Sequence, residues 1–403
     1  MRRYWISIVL SVFVVVGLGT YYVYGAMAQF PEYKISKVSG DVNEGNKIIV
    51  QGAFLVRGRY QYLNATTEGR DYPSRRNIFS QIFSGTESWR NEQADIHQIF
   101  KDHRSFMRGK GNINNFYQDD EWIIYADAVV NNTSASKSEI VLSIDSINQT
   151  TGAVEHYETI MDDSSDYSYI YVEDVQMIGE QVHMLINQRS KGNLNGSAVE
   201  YHDYVVDVNS GALMNNGRVA FGDNPKNNIK QFDRSISNTI YSSPSEYSLL
   251  VVTDEQTRAN DYMGKFDQHL YSYSYKTGEL KDLSDLLMKE GIDDNGDVRL
   301  DSNVLSILNY QTDFISISRY NIDTGTLTNE VLSLTAQQLG VDKIISGNMK
   351  NNKLYILSQS NFIPQIAVLD ATNGAILYTG KIVCDGIPME SKWEGTMYMQ
   401  IAD

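Results

Sequence analysis

The chain has 403 residues, a formal net charge of −16 from 34 basic and 50 acidic side chains, 42% hydrophobic residues, 27 tyrosines and a single cysteine. That apolar and aromatic content can bury a core, which excludes wholesale disorder, and one cysteine excludes a disulfide-stapled fold. The acidic balance also argues against non-specific nucleic-acid binding, because neutralising phosphate needs clustered Lys and Arg.

Arg2 and Arg3 precede an uncharged stretch from Tyr4 to Tyr24, 21 residues with Ile8, Val9, Leu10, Val12, Phe13 and Val14 to Val16 at its centre. At about 1.5 Å per residue a helix of this length spans roughly 30 Å, the hydrocarbon thickness of a bilayer. Trp5 at one end and Tyr21, Tyr22 and Tyr24 at the other suit the two interfaces. The reading is a cytoplasmic stub and transmembrane signal anchor over 1–28, a linker over 29–34 and an extracytoplasmic region over 35–403. A cleaved signal peptide is the alternative, since Ala26-Met27-Ala28 has the small-x-small form, although the apolar run exceeds the usual ~7–15 residues of such a peptide. The only cysteine, Cys384, stands near the C-terminus, so a lipid anchor at the N-terminus is not expected. The exported part then carries −18 and no possible internal disulfide, a composition more typical of a bacterial envelope than of an animal secretory route. The sequons at Asn64, Asn131, Asn132, Asn148 and Asn195 read as chance matches in an Asn-rich chain.

Beyond the anchor a short pattern returns. A first copy is read at Ile48 to Phe54 and Tyr60 to Gly69. A break in rhythm follows, for 83 residues separate Gly69 from Gly152. The excess is placed near 70–110, where Trp89 to Met107 reads as a helix with Ile96, Ile99, Phe100, His103 and Met107 on one face. This insert is net positive in an otherwise acidic chain, and its Arg75, Arg76, Arg104 and Arg108 are the candidate contact for an anionic partner, membrane lipid or envelope polymer. A helix with a wet, charged outer face accounts for the same composition.

Five further copies end at Gly152, Gly211, Gly278, Gly325 and Gly374, separated by 59, 67, 47 and 49 residues. In each, a Tyr-rich or apolar strand meets a two-residue turn ending in Gly, and a second short apolar segment follows. An Asp or Asn before the Gly is positioned to bond the turn backbone, and Gly supplies the positive φ that the turn requires. Another strand precedes each copy, as at Trp122 to Ala126, Gln181 to Ile186 and Lys353 to Leu357. About 50 residues holding four short strands is the period of a propeller blade, and long helical patterns that would mark an α/β solenoid are missing. A pair of β-sandwiches is the other arrangement open to such strands. The hairpins Val-Leu-Asp-Ala-Thr-Asn-Gly at 368–374 and Val-Val-Asp-Val-Asn-Ser-Gly at 205–211 resemble the Ala-x-Asp-x-x-Thr-Gly core of PQQ-like repeats. Residues 35–403 are similar to PQQ-like or WD40-like β-propellers of bacterial cell-surface proteins. The Trp that closes the quinoprotein repeat is absent, so the resemblance implies an all-β propeller and no quinone cofactor. Because Trp393 to Ile401 ends in mid-blade, seven blades are expected, with six as the alternative, and ring closure would involve the N-terminal strands.

Chemical motifs are sparse. The six histidines form no two-histidine zinc pattern, no nucleophile elbow or P-loop is present, and Cys384 has no neighbouring base. Asp293, Asn295, Asp297 and Asp301 stand at an alternate spacing suited to Ca²⁺, yet Val298 and Val304 occupy the positions where a calcium loop has Gly and Glu. No other cofactor is expected. Tyr167-Ser-Tyr-Ile-Tyr171 and Tyr271-Ser-Tyr-Ser-Tyr275 offer sugar-stacking surfaces, or tyrosines packed between blades with their hydroxyls reaching water. The expectation is a non-catalytic binding or scaffolding module for a protein or envelope partner. The alternative is a carbohydrate-active propeller whose acid and base lie among pairs such as Asp119-Asp120-Glu121, Asp162-Asp163 and Glu173-Asp174.

Overall fold

Apolar residues recur with a period of two in every repeat, and the backbone answers with strands almost throughout. The computed structural model describes residues 5–27, 32–56, 59–72, 94–134, 137–161, 167–190, 199–221, 230–236, 244–256, 265–289, 297–385 and 397–401. Helix α1 (Trp5–Met27) comes first, then strand β1 (Glu32–Gly40) and a single-turn helix α2 (Val42–Gly45). Sheet 1 contains β2 (Ile48–Val56), β3 (Arg59–Ala65) and β4 (Arg70–Asp71). Helix α3 (Ala94–Asp102) leads into sheet 2, built from β5 (Phe116–Gln118), β6 (Trp122–Ser134), β7 (Lys137–Asn148) and β8 (Val154–Ile160). Sheet 3 holds β9 (Tyr167–Ile178), β10 (Gln181–Ser190), β11 (Val199–Asp207) and β12 (Leu213–Val219). Sheet 4 holds β13 (Lys230–Ile236), β14 (Tyr247–Gln256), β15 (Lys265–Ser274) and β16 (Leu280–Asp282), with helix α4 (Ser284–Lys289) after it. Sheet 5 is β17 (Asp297–Asp301), β18 (Val304–Tyr310), β19 (Phe314–Asn321) and β20 (Thr326–Thr335). Sheet 6 is β21 (Lys343–Lys350), β22 (Lys353–Ser360), β23 (Ile363–Asp370) and β24 (Ile376–Asp385), and β25 (Tyr398–Ile401) follows.

The protein is therefore all-β, with antiparallel pairing between consecutive strands of each sheet. Two pairings join the chain's ends. β25 lies beside β2, with Ile401 opposite Ile48 and Tyr398 opposite Gln51, and so supplies the missing first strand of sheet 1. β1 adds a fifth strand to sheet 6, with Ile35 opposite Ile382, and covers that edge. Among the described residues there are six sheets, not seven: the C-terminal segment and the first repeat, each incomplete alone, make one sheet together. β1 begins at Glu32, inside the stretch read as linker.

Each of the six turn glycines adopts positive φ, from 67° to 72° at Gly152, Gly211, Gly278, Gly325 and Gly374, and 145° at Gly69. The turns are longer than two residues. The N–H of Gly211 donates to the carbonyl of Asp207 at 2.9 Å, and the same four-residue step closes the turns at Gly152, Gly278, Gly325 and Gly374. In four of these turns an Asx side chain bonds the turn backbone, as Asp207 Oδ1 does by accepting from Ser210 N at 2.8 Å, and at Gly278 the Ser274 hydroxyl takes that place, accepting from Thr277 N at 3.3 Å. The residue after the turn's first position also donates to the carbonyl at the first hairpin of its own sheet: Gln149 to Glu121, Val208 to Glu180, Tyr275 to Glu246, Ile322 to Asn303 and Ala371 to Asn352. Hence the repeat visible in sequence is also a repeat of hydrogen bonds.

Apolar clusters fill the seams between successive sheets. Ile124, Leu142 and Ile144 meet Val182, Met184 and Ile186 between sheets 2 and 3. Leu249 and Leu270 meet Leu300, Leu305 and Ile307 between sheets 4 and 5. Leu308, Ile315 and Ile317 meet Met349, Leu354 and Ile356 between sheets 5 and 6, and Ile48, Val50 and Leu63 meet Leu357, Ile366 and Val368 between sheets 6 and 1. Among the described residues no such cluster joins sheet 1 to sheet 2. Instead α3 and the turns after it cover the far face of sheet 2, where Ile96, Ile99, Phe106 and Met107 pack on Phe116, Ile123, Tyr125 and Ile147. The helix ends earlier than the sequence pattern predicts. Beyond Asp102 the chain continues in turns, which brings Phe106 inward and leaves His103 half-buried.

α1 runs 23 residues with no charge in its first or last turn. Its described apolar side chains lie open, Leu10 at 66%, Phe13 at 78% and Val15 at 69% exposure. Among the described residues no helix is long and apolar enough to cross a membrane.

Candidate functional site

One seam differs from the rest. Asp174 on β9 and Asp203 on β11 both stand opposite Leu185 on β10, so the two carboxyl groups flank it on the face that meets sheet 4. His183 lies two residues along β10 on the same face, opposite Gln176. From sheet 4, Tyr273 and Tyr275 reach across. The Tyr273 hydroxyl donates to Asp203 Oδ2 at 2.9 Å, and Tyr275 donates to Asp174 Oδ2 at 2.7 Å. His183 Nδ1 donates to Asp203 Oδ2 at 2.8 Å, since a carboxylate can only accept. The His183 and Tyr275 rings meet edge to face at 5.6 Å. Asp203 is 3% exposed, His183 5% and Gln176 0%, a buried polar network where neighbouring seams are mainly aliphatic.

Burial pushes the Asp174 carboxyl up to about 6, against the opposing pull of the hydrogen bonds from Tyr275, Gln176 and the Val175 backbone, with Asp203 adding to the rise. Burial likewise raises the hydroxyl of Tyr275, helped by the charges of Asp174 and Asp203, and that of Tyr273, helped by Asp203. Beside them Glu173 is the extra residue of a bulge in β9, and its carboxyl accepts from Asn187 Nδ2 at 3.2 Å. Burial raises Glu173 too, opposed by the Asn187 bond and reinforced by Asp174. Asp203 Oδ1 and Asn187 Oδ1 are buried without a hydrogen-bond partner among the described residues. The network can hold a proton near pH 6. Among the described residues no serine or cysteine is hydrogen-bonded to its histidine, and no group of three or more His, Cys, Asp or Glu is placed to bind a metal.

This network leads outward to an open cleft. Gln176 Nε2 donates to Asp174 Oδ1 at 3.1 Å, while its Oε1 accepts from the Ser245 backbone N–H at 2.8 Å. Ser245 lines a cleft of about 520 Å³ with Gly179 in the first hairpin turn of sheet 3, Ser302 and Asn303 in that of sheet 5, and Asp323 in the glycine turn of sheet 5. Ser302 and Asn303 also line an adjoining cleft of about 310 Å³ between sheets 5 and 6. In a four-stranded meander the first and third turns share an end, so these clefts and the glycine turns lie at the same end of their sheets. Asp323 is held there by the Tyr247 hydroxyl and by Asn303 Nδ2 at 2.6 Å, bonds that keep its carboxyl below the usual range.

The residues singled out in sequence are dispersed. Arg75, Arg76, Asp293 and Asn295 lie outside the described residues. Arg104 and Arg108 are exposed beyond α3, whereas Lys110 is committed internally, 2.9 Å from Asp145 and over the Phe106 ring at 4.3 Å. Asp297 and Asp301 are the two ends of the extended strand β17. Four residues of strand separate their Cα atoms by about 13 Å, whereas an ion held at about 2.4 Å from both carboxylates needs those oxygens within about 5 Å. Asp301 therefore does not complete a calcium site with Asp297, and it lines the smaller cleft instead. Of the tyrosines read as reaching water, Tyr273 and Tyr275 turn inward to carboxylates.

No protein-family model matches the chain, and no curated protein matches it. Among solved structures, an uncharacterized protein of Listeria monocytogenes is similar at 9% identity over 66% of each chain, with a TM-score of 0.32. An apocarotenoid oxygenase of Synechocystis, in its Trp149Ala mutant form, is similar at 8% identity over 64% of this chain and 58% of its own, with a TM-score of 0.33. Both likenesses are too loose to place the chain in either fold.

Proposed function

We propose that the chain is a membrane-anchored β-propeller of six blades, a non-catalytic recognition or scaffolding module for an envelope partner. α1 is its anchor and the sheets lie outside the cytoplasm. The ring reading rests on six consecutive meanders, filled seams from sheet 2 through sheet 6 to sheet 1, and a first blade completed by β25. The anchor reading rests on the uncharged 23-residue helix, whose open apolar side chains call for an apolar surrounding. From Met27 to Glu32 the chain can extend about 18 Å at most, which holds the outer strand of sheet 6 near the bilayer.

The observation that carries the recognition reading is the convergence of turns from several sheets on adjoining clefts at one end. A glycosidase would need two carboxylates facing across one opening, about 5–9.5 Å apart. The carboxylates that burial perturbs most, Glu173 and Asp174, are sequence neighbours within a closed seam. A photo-reactive side chain placed at Ser302 in the full-length protein, in its own membranes, should form a discrete adduct. The same group at Phe362, in the β22–β23 turn at the opposite end and 87% exposed, should not. Equal labelling at both positions would remove the proposal.

A further inference from the structure

We infer that Phe362 is a membrane-contact residue, whose ring enters the bilayer surface beside α1 and so turns the glycine-turn end of the sheets away from the membrane. Its turn joins β22 to β23, where Ser360 pairs with Ile363 and leaves Asn361 and Phe362 as a two-residue loop. Both loop residues have positive φ, 48° and 63°. A two-residue hairpin of this kind favours Asn-Gly, because glycine and asparagine enter the left-handed region at little cost. At the opposite end of β22 the corresponding loop is Asn351-Asn352, with φ of 50° and 58°, and it keeps to that chemistry. Phe362 does not, and the protein offers its ring no compensating packing: at 87% it is the most exposed large hydrophobic residue among those described. The loop is nevertheless held, since Asn361 N–H donates to Asp342 Oδ2 at 2.7 Å. Backbone strain kept at a fixed position without a packing reason marks a site of function.

The place of this turn in the fold provides the apolar surrounding. Gln365 stands opposite Lys381, and Lys381 opposite Ser36, so the same register carries Phe362 to the level of Cys384 and Tyr33. Tyr33 is the second residue of β1, the strand that follows α1, and β1 lies two strands from β23, about 10 Å away. Because no more than about 18 Å of chain separates Met27 from Glu32, the turn stands at the level where the anchor joins the sheets. The glycine turns and the clefts lie at the other end, where β1 finishes at Gly40 opposite Tyr378. Charge does not draw the tethered end to lipid, for Asp313 and Asp342 stand there beside Lys343. The contact is therefore apolar, and a phenylalanine ring is suited to the boundary between headgroups and acyl chains.

This deepens the membrane-anchored reading and rests on it for the position of α1. The test uses the full-length protein reconstituted in phosphatidylcholine bilayers, with 4-fluorophenylalanine placed singly at Phe13, Phe362 or Ile376. Ile376 is 56% exposed on the same sheet, about 26 Å nearer the glycine-turn end. The fluorine signal is broadened first by a nitroxide carried on the lipid, then by a water-soluble gadolinium chelate. At Phe362 the lipid nitroxide should broaden the signal about fivefold more than at Ile376, and the chelate should do the reverse. A lipid effect at Phe13 with none at Phe362 would overturn the inference and leave the anchor standing, as would equal broadening at Phe362 and Ile376. A lipid effect at Phe362 with none at Phe13 supports the contact while removing α1 as the anchor, and an effect at neither removes both. Phe362→Asn should leave the melting temperature in detergent unchanged or raised, because Asn suits the φ and the ring packs on nothing. A fall would assign the ring a packing role and overturn the inference.

Discussion

Replacing Asp174 by Asn removes a buried charge while keeping the size and an acceptor for Gln176. In the folded protein the Asp174 carboxyl is raised to about 6 from an ordinary 3.8, so the native state takes up its proton at higher pH than the unfolded chain. Its contribution to stability is therefore fully present below about pH 4 and is lost as pH rises through 6. A shift of about two units corresponds to about 3 kcal/mol between those limits. Asn cannot titrate, but its amide must face either Tyr275 or Gln176, at a cost of about 1 kcal/mol for one reoriented hydrogen bond. Urea unfolding of the full-length protein and of Asp174→Asn, followed from pH 4 to 7.5, gives the difference at each pH. That difference should move by about 3 kcal/mol in favour of the variant as pH rises, with its midpoint near pH 5. A difference that stays constant across the range would refute the buried-carboxylate argument.

The turn glycines separate two costs. Gly152→Ala should destabilise by about 1–2 kcal/mol from positive φ alone, since a Cβ there meets nothing within 4 Å. Gly211→Ala should cost distinctly more, because a Cβ would lie 2.3 Å from the Tyr157 ring and displace a hydroxyl that donates to Asn209 O at 2.8 Å; thermal unfolding of the pair checks the order. Arg104→Ser with Arg108→Ser should weaken association of the full-length protein with anionic vesicles over neutral ones at low salt; unchanged binding in co-flotation would remove the insert as a contact. Lys110→Met should lower the melting temperature without altering vesicle binding, because Lys110 serves Asp145 and the aromatic rings of Phe106 and Tyr125.

The sequence disclosed what local chemistry decides. Gly211 and its counterparts are legible because only an αL residue closes the turn and because Asp207 or its equivalent must stand four positions before it. The four strands of sheet 6 are legible from period-two alternation. The number of sheets was not, because Ile401 pairs with Ile48 across nearly the whole chain, and no local pattern marks two incomplete repeats as one. The polar seam escaped for a similar reason. Asp174 and Tyr275 are 101 residues apart, and an alternating tyrosine on a strand looks the same whether its hydroxyl meets water or a carboxylate. Glu173-Asp174 stands out in sequence as an acidic pair, but its place at a bulge depends on β10.

Closure of the ring is the claim on which the recognition face depends, and sheets 1 and 2 are where it is tested. The residue before the turn glycine is equivalent in every sheet: Glu68 in sheet 1, Thr151 in sheet 2 and Ser210 in sheet 3. Spin labels at 68 and 151, and separately at 151 and 210, in full-length protein with Cys384 replaced by Ala, give two distances by pulsed dipolar spectroscopy. In a closed ring the first should exceed the second by no more than about 10 Å, the width of one helix such as α3, which covers the free face of sheet 2. Six sheets stacked in an open row at about 10 Å each would put 68 and 151 about 50 Å apart, and that result would contradict the propeller.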